Sequence, residues 1–225
     1  CSKSAEKVDP PALQQTFTVN AAKENLTFAK DQYLKMIDHV QHKRHLNPRP
    51  LCVSDKKMIC VPRSEEHDGI FMEQHKKWTN GFFPGVLWKL LSSKNDISWS
   101  AGQEQAVFAS AKYYQQALVA DAKRDNTHDL GFLLYDSFGE ALGYDNLDDE
   151  TKSQYLQLLD TGRATLATRY RDEKGLIRSW DWAPRMKINT IENGEKITDR
   201  YILLCIGSEN GNWHGIQYAF LMGVG

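Results

Sequence analysis

Apolar residues recur at helical spacing through most of the first 170 positions of the chain. The first stripe predicts an amphipathic helix with Asn20 as its cap, which ends before Pro48 and Pro50. Further stripes predict helices that begin near Pro84 and that cover 100–122, 130–142 and 148–170. Because no alternating apolar run competes with them before residue 170, the pattern predicts a mainly helical domain. Helix pairs at this spacing are typical of a helical toroid or solenoid, and a generic bundle fits the same periodicity.

The segment between the first two predicted helices, residues 46–77, breaks this pattern. It contains Pro62 and the turn sequence "HDG" at 67–69, which together predict an irregular or hairpin segment. Two cysteines of this segment, Cys52 and Cys60, lie in "LCVSDKKMIC" with seven residues between them. That spacing suits a short hairpin, and in an oxidising compartment the two cysteines could form a disulfide.

Composition and charge limit the classes of function. With 41% hydrophobic residues, the 225-residue chain can build the core of one large domain or two small ones. Its 28 basic and 29 acidic side chains leave a formal net charge of −1, which gives no basic surface for a nucleic acid. The expected partner is a small molecule or a glycan. No CxxC or HExxH motif occurs, so neither a metal nor another cofactor is predicted.

The first residues suggest processing. Cys1 stands where an initiator methionine would, and residues 1–19 are polar and contain prolines. This pattern predicts a tether whose Cys1 carries the lipid of a bacterial lipoprotein, in the periplasm or anchored to the outer membrane. The alternative is that Cys1 is only a boundary of the sequence.

Aromatic and charged residues gather at the boundaries of the predicted helices. The three stretches are "KWTNGFFPGVLW" at 77–88, "THDLGF" at 127–132 and "GLIRSWDW" at 175–182. Aromatic faces beside hydrogen-bonding groups suit a sugar ring, which has apolar CH faces and a rim of hydroxyls. The residues that could bind a sugar in this way are Trp78, Asn80, Phe83, His128, Asp129, Arg178, Trp180, Asp181 and Trp182.

Structural interpretations stand beside these functional ones. Asp129 could be the cap of the helix that follows it, and His128 could be a histidine satisfied at the start of that helix. Gly81 and Gly85 suit close packing or turns. Three large side chains on the helical stripes are expected in the core, namely Phe82, Trp88 and Phe132.

Five motifs in order carry a resemblance to a known family. They are "NPRP" at 47–50 or "VPRS" at 61–64, "WTNGFFPGVLW" at 78–88, "HDLGF" at 128–132, "ATLATRY" at 164–170 and "GLIRSWDW" at 175–182. From about residue 20 to residue 182 the chain resembles the unsaturated glucuronyl hydrolases of glycoside hydrolase family 88. The resemblance implies an (α/α)6 barrel of helical hairpins, with a barrel domain over residues 20–182.

The resemblance also implies a reaction and roles for residues. Such enzymes remove 4,5-unsaturated glucuronic acid from the non-reducing end of oligosaccharides that polysaccharide lyases leave. The ring double bond is protonated and hydrated, and the hemiketal then opens and releases the sugar, which requires a proton-donating carboxylic acid and a base that positions water. By this resemblance Asp129 is one essential carboxylate, His128 contacts the substrate, and Trp180 stacks on the unsaturated ring.

The chain departs from the family after residue 182. The family's second essential aspartate lies in a motif like "PVIIDNMMNLE", which is absent, and Asp199 in "EKITDRYILL" is the remaining candidate. Residues 183–225 match nothing expected, and 225 residues supply about half of the helices of a twelve-helix barrel. Four interpretations therefore stay open, namely an active hydrolase, a catalytically inactive glycan-binding lipoprotein, an incomplete fragment, and an unsaturated rhamnogalacturonyl hydrolase. The oligomeric state is not predicted.

Overall fold

A computed structural model describes residues 18–74, 76–172 and 175–178, and the backbone of 191–192 and 195–196. The predicted tether and the divergent segment 183–225 lie almost entirely outside these ranges. Cys1, Trp180 and Asp199 also lie outside the described residues.

Helices dominate the described chain, which confirms the predicted class. The α-helices are α1 (Val19–Gln41), α2 (Pro50–Ser54), α3 (Phe82–Ser92), α4 (Ala101–Gln115) and α5 (Asp149–Ala167). Two 3₁₀-helices, Trp78–Gly81 and Gln116–Lys123, continue into or out of them, and Gly131–Gly139 is wound as a π-helix. The predicted helix over 130–142 is therefore present, but its π winding was not predicted because the spacing of apolar residues does not report it.

Side-chain caps fix where several helices begin. Thr18 caps α1 by accepting a 3.1 Å hydrogen bond from the amide of Ala21, so the predicted cap at Asn20 is wrong by two residues. Ser100 forms a capping box at the start of α4. Asp148 accepts from the amide of Thr151 at 2.8 Å, at the start predicted for α5.

Along the chain, the strands of a three-stranded sheet fall between α1 and α3. Its strands are β1 (Leu46–Pro48), β2 (Val61–Glu66) and β3 (Gly69–Glu73), in the order β1-β3-β2. β2 and β3 form the predicted hairpin, whose turn ends at Gly69 with φ +121°, and β1 joins β3 in parallel. The strand β1 was not predicted. β3 is buried along nearly its whole length, so it lacks the alternation that announces a strand in a sequence. Two-stranded pairs follow α5, namely β4 (Tyr170–Arg171) with β5 (Leu176–Ile177) and β6 (Ile191–Glu192) with β7 (Glu195–Lys196).

Cys52 and Cys60 are joined in a disulfide, a pairing that the sequence allowed but left open. The residues between them are not a hairpin, because Cys52 lies within α2 and Cys60 lies just before β2. The disulfide therefore ties α2 to the start of β2.

Two clusters of buried side chains form the core of the described chain. The first packs α1, α3 and α4 around Trp88, which is fully buried as predicted and meets the rings of Phe108 and Tyr144. The second lies under the π-helix and α5, and its fully buried leucines are Leu118, Leu130, Leu133, Leu134 and Leu166.

Gly81 and Gly85 bring α3 and the π-helix into backbone contact. A Cβ atom on Gly81 would lie 1.9 Å from the carbonyl oxygen of Phe132, and one on Gly85 would lie 1.9 Å from that of Asp136. Neither position has room for a methyl group, which confirms the prediction that these glycines serve close packing. The contact fixes the π-helix, and with it the residues that immediately precede it.

Candidate functional site

A cleft of about 670 Å³ is lined by residues of the sheet, of the first 3₁₀-helix and of the loop before the π-helix. The sheet side contributes Arg63 and Glu73, with Arg49 next to β1, and the loop contributes Thr127 and Asp129. The full set of lining residues is Arg49, Arg63, Glu73, Lys76, Lys77, Trp78, Thr79, Arg124, Asn126, Thr127 and Asp129. Trp78 and Asp129, which were predicted to act at one site, thus meet in one cleft.

Asp129 is held rigidly although it lies on the wall of the cleft. It is 4% exposed, and its Oδ2 accepts a 2.9 Å hydrogen bond from the hydroxyl of Thr127. The same hydroxyl accepts from the amide of Asp129 at 3.2 Å, and the carbonyl of Asp129 accepts from the amide of Leu133. The start of the π-helix and Thr127 together fix the carboxyl group in place.

His128 lies beside this carboxyl group. Its Nε2 is 3.2 Å from Oδ1 of Asp129. Burial lowers the pKa of the His128 imidazole below its ordinary value of 6.5, the Asp129 carboxylate acts against this, and Arg169 adds to it. At neutral pH the imidazole is therefore uncharged beside the carboxyl group.

The sequence did not predict a role for Arg169, although this residue lies in the "ATLATRY" motif. It is buried after the end of α5, where its Nε donates to the carbonyl of Arg178 at 3.0 Å and its guanidinium donates to the carbonyl of Asp125. The amide of Arg178 in turn donates to the carbonyl of Arg169 at 2.8 Å. Arg169 thus ties two of the five motifs to the loop that leads to His128 and Asp129.

Trp78 offers the exposed aromatic face of the cleft. It is 39% exposed and packs on two half-buried rings, with centroids 5.7 Å from that of Phe82 and 5.7 Å from that of Phe132. Phe82 and Phe132 meet each other edge to face. The prediction that these two phenylalanines lie in the core is therefore wrong, because they are only half-buried and form the support of Trp78.

Asn80 and Phe83 do not reach the wall of the cleft. Asn80 is buried, and its Nδ2 donates to the carbonyl of Gln74 at 3.0 Å, which holds the residues after β3 against the 3₁₀-helix. Phe83 is buried in the core, where its ring meets those of Tyr33 and Tyr114. We therefore assign both residues, which were predicted to bind a sugar, to the support of the fold.

Glu73 is a second buried carboxylate of the cleft, and the sequence did not predict it as a residue of the site. It is 1% exposed, and Nη1 of Arg63 lies 3.2 Å from its Oε2 while Nε of Arg49 lies 3.6 Å from its Oε1. Arg49 and Arg63 are the arginines of "NPRP" and "VPRS", which the sequence offered as alternative matches to one motif. The structure brings both arginines to one carboxylate.

The charge on the cleft wall differs from that of the whole chain. The wall carries three arginines and two lysines against the carboxylates of Glu73 and Asp129, whereas the chain as a whole has a net charge of −1. Arg124 is partly compensated, because its Nη1 lies 2.9 Å from Oδ1 of the buried Asp121. The excess of cations favours an anionic ligand.

The described residues contain neither a metal-binding cluster nor a membrane-spanning helix. Residues 18–74, 76–172 and 175–178 hold no group of three or more His, Cys, Asp or Glu side chains that could bind a metal ion. None of the helices in these ranges has the length and apolar character that a membrane span requires.

Part of this sequence is similar to a curated enzyme. Over 109 residues it is 38% identical to an unsaturated glucuronyl hydrolase of Formosa agariphila. The match covers 48% of this chain and 24% of the relative, so the chain matches about a quarter of the length of the curated protein. No protein-family model matches the chain.

One solved structure agrees with this similarity. The crystal structure of an unsaturated glucuronyl hydrolase specific for heparin superposes with a TM-score of 0.50 and 29% identity, over 71% of this chain and 36% of that protein. A second structure, the unsaturated glucuronyl hydrolase from Streptococcus agalactiae, gives a TM-score of 0.48 and 17% identity, over 80% of this chain and 41% of that protein. The first superposition assigns the described residues to the α/α-barrel class of helical folds. About half of the chain is thus homologous to an unsaturated glucuronyl hydrolase, and the site described above lies on a fold of that type.

Proposed function

We propose that this chain acts as a glycoside hydrolase of family 88. Its substrate would be an oligosaccharide left by a polysaccharide lyase, from whose non-reducing end it removes 4,5-unsaturated glucuronic acid. The observation that carries the proposal is the position of Asp129, the aspartate of the "HDLGF" motif, which is buried on the wall of a cationic cleft that also presents Trp78. Together these features suit an unsaturated uronic acid, since a carboxyl group can exchange a proton, an aromatic face can stack on the ring and cations can attract the uronate.

In this proposal Asp129 exchanges a proton with the ring double bond. The carboxyl group of Asp129 adds its proton to C4 of the unsaturated sugar, and a water molecule adds its oxygen to C5 and returns a proton to the same carboxylate. The hemiketal that results opens and releases the rest of the saccharide. Thr127 and His128 position the carboxyl group, since both contact it directly. Trp78 stacks against the sugar ring, whose CH groups suit an aromatic face.

The proposed reaction also requires a second carboxylate. Glu73 lies on the same cleft, but two arginines and the amide of Gln74 already occupy its two oxygens. We therefore keep Asp199 as the proposed partner of Asp129. The distance between carboxylates that separates inverting from retaining glycosidases does not apply, because no direct attack at the anomeric carbon is involved.

The test is the disappearance of the ultraviolet absorbance of the ring double bond. The purified chain is mixed with an unsaturated glycosaminoglycan disaccharide, and Asp129→Asn is compared with Asp160→Asn, which changes an exposed aspartate on α5. Loss of absorbance with the wild type and with Asp160→Asn, but not with Asp129→Asn, would support the proposal.

A folded wild-type chain that leaves the disaccharide intact would contradict it. Calorimetry then separates the alternatives that the sequence left open. Binding without turnover would identify a glycan-binding protein that lacks the hydrolase activity. A broad thermal transition with dye binding would identify an unstable fragment.

A further inference from the structure

Arg49 and Arg63 share one buried carboxylate on the sheet side of the cleft. Each guanidinium contacts a different oxygen of Glu73, at 3.6 Å for Arg49 and at 3.2 Å for Arg63. The amide of Gln74 donates to Oε1 of the same carboxylate at 3.1 Å, so the backbone of the next residue also holds Glu73 in place. A fixed, buried anion holds both arginines at the edge of the cleft.

One aromatic ring orients the same two arginines. The guanidinium carbon of Arg49 lies 4.8 Å from the centroid of the Phe71 ring, and that of Arg63 lies 5.8 Å from it. Guanidinium groups are attracted to the faces of aromatic rings, which restricts their rotation. Both side chains are therefore ordered before any ligand arrives.

These arginines retain the capacity to bind a ligand. Their side chains are 46% and 45% exposed, and both line the cleft. A guanidinium carries five N–H donors, and the contact with Glu73 engages only part of that set. Two positive charges against one carboxylate leave a net positive charge at this place. A preordered pair of guanidinium groups with one charge in excess matches a planar or tetrahedral oxyanion.

One uronate group does not balance the charges of the whole cleft. Its wall carries five cations and two carboxylates, and Asp121 behind Arg124 supplies a third carboxylate, whereas one unsaturated uronic acid contributes a single negative charge. Asp129 belongs to the helical side of the cleft, and Arg49 and Arg63 belong to the sheet side. A saccharide whose unsaturated unit lies at Asp129 and which extends across the cleft to the sheet would bring its next unit to Arg49 and Arg63.

We propose that Arg49 and Arg63, held by Glu73, form a subsite for a second oxyanion of the saccharide. The oxyanion is a sulfate ester or a carboxylate on a sugar beyond the unsaturated unit. The subsite rests on the proposed function only in that the unsaturated unit occupies the Asp129 side of the cleft.

Three saccharides test the subsite by calorimetry, all with the Asp129→Asn protein so that the ligand is not consumed. The reference is an unsulfated unsaturated disaccharide, the second ligand carries a sulfate on its second sugar, and the third is an unsulfated tetrasaccharide with a second uronate. We expect one of the last two to bind about tenfold more tightly than the reference. Preference for the sulfated disaccharide assigns the subsite to sulfate, and preference for the tetrasaccharide assigns it to a carboxylate.

Lysine variants locate the preference in the protein. Arg49→Lys and Arg63→Lys keep a positive charge beside Glu73 but remove the forked donors, so each should lose most of the preference. Arg44→Lys is the matched control, because Arg44 pairs with Asp38 on the exposed surface after α1. Thermal melting of each variant shows that it is folded. Equal affinity for the three ligands, or a preference that the lysine variants at positions 49 and 63 retain, would overturn the proposal.

The salt dependence of saccharide binding to the Asp129→Asn protein tests the subsite without a further variant. Affinity for the preferred ligand should fall more steeply with salt than affinity for the reference, because one more charge contact is screened. Equal slopes would also overturn the subsite. Hydrolysis without preference would defeat the subsite alone, whereas preference without hydrolysis would defeat the proposed activity alone.

Discussion

Two buried carboxylates lie on the same cleft, and their neighbours give them different properties. Glu73, on the sheet side, contacts two guanidinium groups and a backbone amide. Asp129, on the helical side, contacts a hydroxyl and an imidazole whose pKa burial lowers. A carboxylate between two permanent cations orders those cations, whereas a hydroxyl and an uncharged imidazole beside a carboxylate can each act as hydrogen-bond donor or acceptor. In the proposed function, the same functional group would thus serve binding on one side of the cleft and chemistry on the other.

The largest expected effects come from replacing each carboxylate with its isosteric amide, Asp129→Asn and Glu73→Gln, which should separate the two roles. Asp129→Asn should lower turnover at least about a hundredfold with little loss of stability, because the amide oxygen still accepts from Thr127. Glu73→Gln should lower the free energy of unfolding by about 2 kcal/mol, since its NH₂ group would face an arginine donor. Turnover of an unsulfated disaccharide and denaturant unfolding measure the two effects.

The comparison breaks if the two variants behave alike. A folded Glu73→Gln protein that loses as much turnover as Asp129→Asn would make Glu73 a participant in the reaction. In that case Glu73, not Asp199, would be the second carboxylate.

Substitution at Gly85 should damage the helical side of the cleft and spare the sheet side. A methyl group there would lie 1.9 Å from the carbonyl oxygen of Asp136, so the π-helix that follows Asp129 must move. We expect Gly85→Ala to cost about 3 kcal/mol of stability and most of the turnover, while oxyanion binding at Arg49 and Arg63 persists. Chemical unfolding, the absorbance assay and calorimetry test the three parts.

Gly102→Ala is the matched control for this substitution. Nothing lies within 4 Å of a Cβ atom at Gly102, which is also in a helix, so alanine should raise stability by about 0.5 kcal/mol. Equal losses in the two variants would show that the contact between α3 and the π-helix does not carry the effect.

Local signals made much of this fold predictable. The helical stripes, the start of α5 near Asp148 and the "HDG" turn depend on residues close in sequence, and the structure reproduces them. Phe82 and Phe83 show the limit of such signals. One step along a helix rotates a side chain by about 100°, so one ring enters the core and the other supports Trp78, but which ring does so depends on helices elsewhere in the chain.

The sheet side of the cleft could not be predicted from the sequence for the same reason. Glu73 meets its arginines only because β3 pairs with β1 on one edge and with β2 on the other, which places Met72 beside both Pro48 and Pro62. That register depends on tertiary packing, not on local propensity. A balanced total charge also conceals the cations that the fold collects in one cleft.

Removal of the disulfide should loosen the sheet side with a smaller effect. Arg49 directly precedes α2, which the bond between Cys52 and Cys60 ties to the start of β2. Replacing both cysteines with serine should cost about 2 kcal/mol and weaken the preference for the second oxyanion a few-fold. Turnover of the unsulfated disaccharide should stay unchanged, and wild-type protein treated with reductant should behave in the same way. A fall in turnover would show that the two sides of the cleft are not independent.

The smallest expected effect concerns the proton on His128. Its pKa is lowered in the folded state, so as pH falls below 6.5 the unfolded chain takes up a proton before the folded chain does. Stability from this group is thus present above pH 6.5 and is lost as pH falls toward the lowered pKa. His128→Gln should therefore lose less stability than the wild type between pH 7.5 and pH 5.5. Asp136 acts in the opposite sense, because burial, with Glu140 adding to it, raises its pKa from 3.8 to about 7. The measurement is thus repeated in an Asp136→Asn protein. If His128→Gln leaves the pH dependence unchanged in both proteins, His128 is not a buried neutral imidazole beside Asp129.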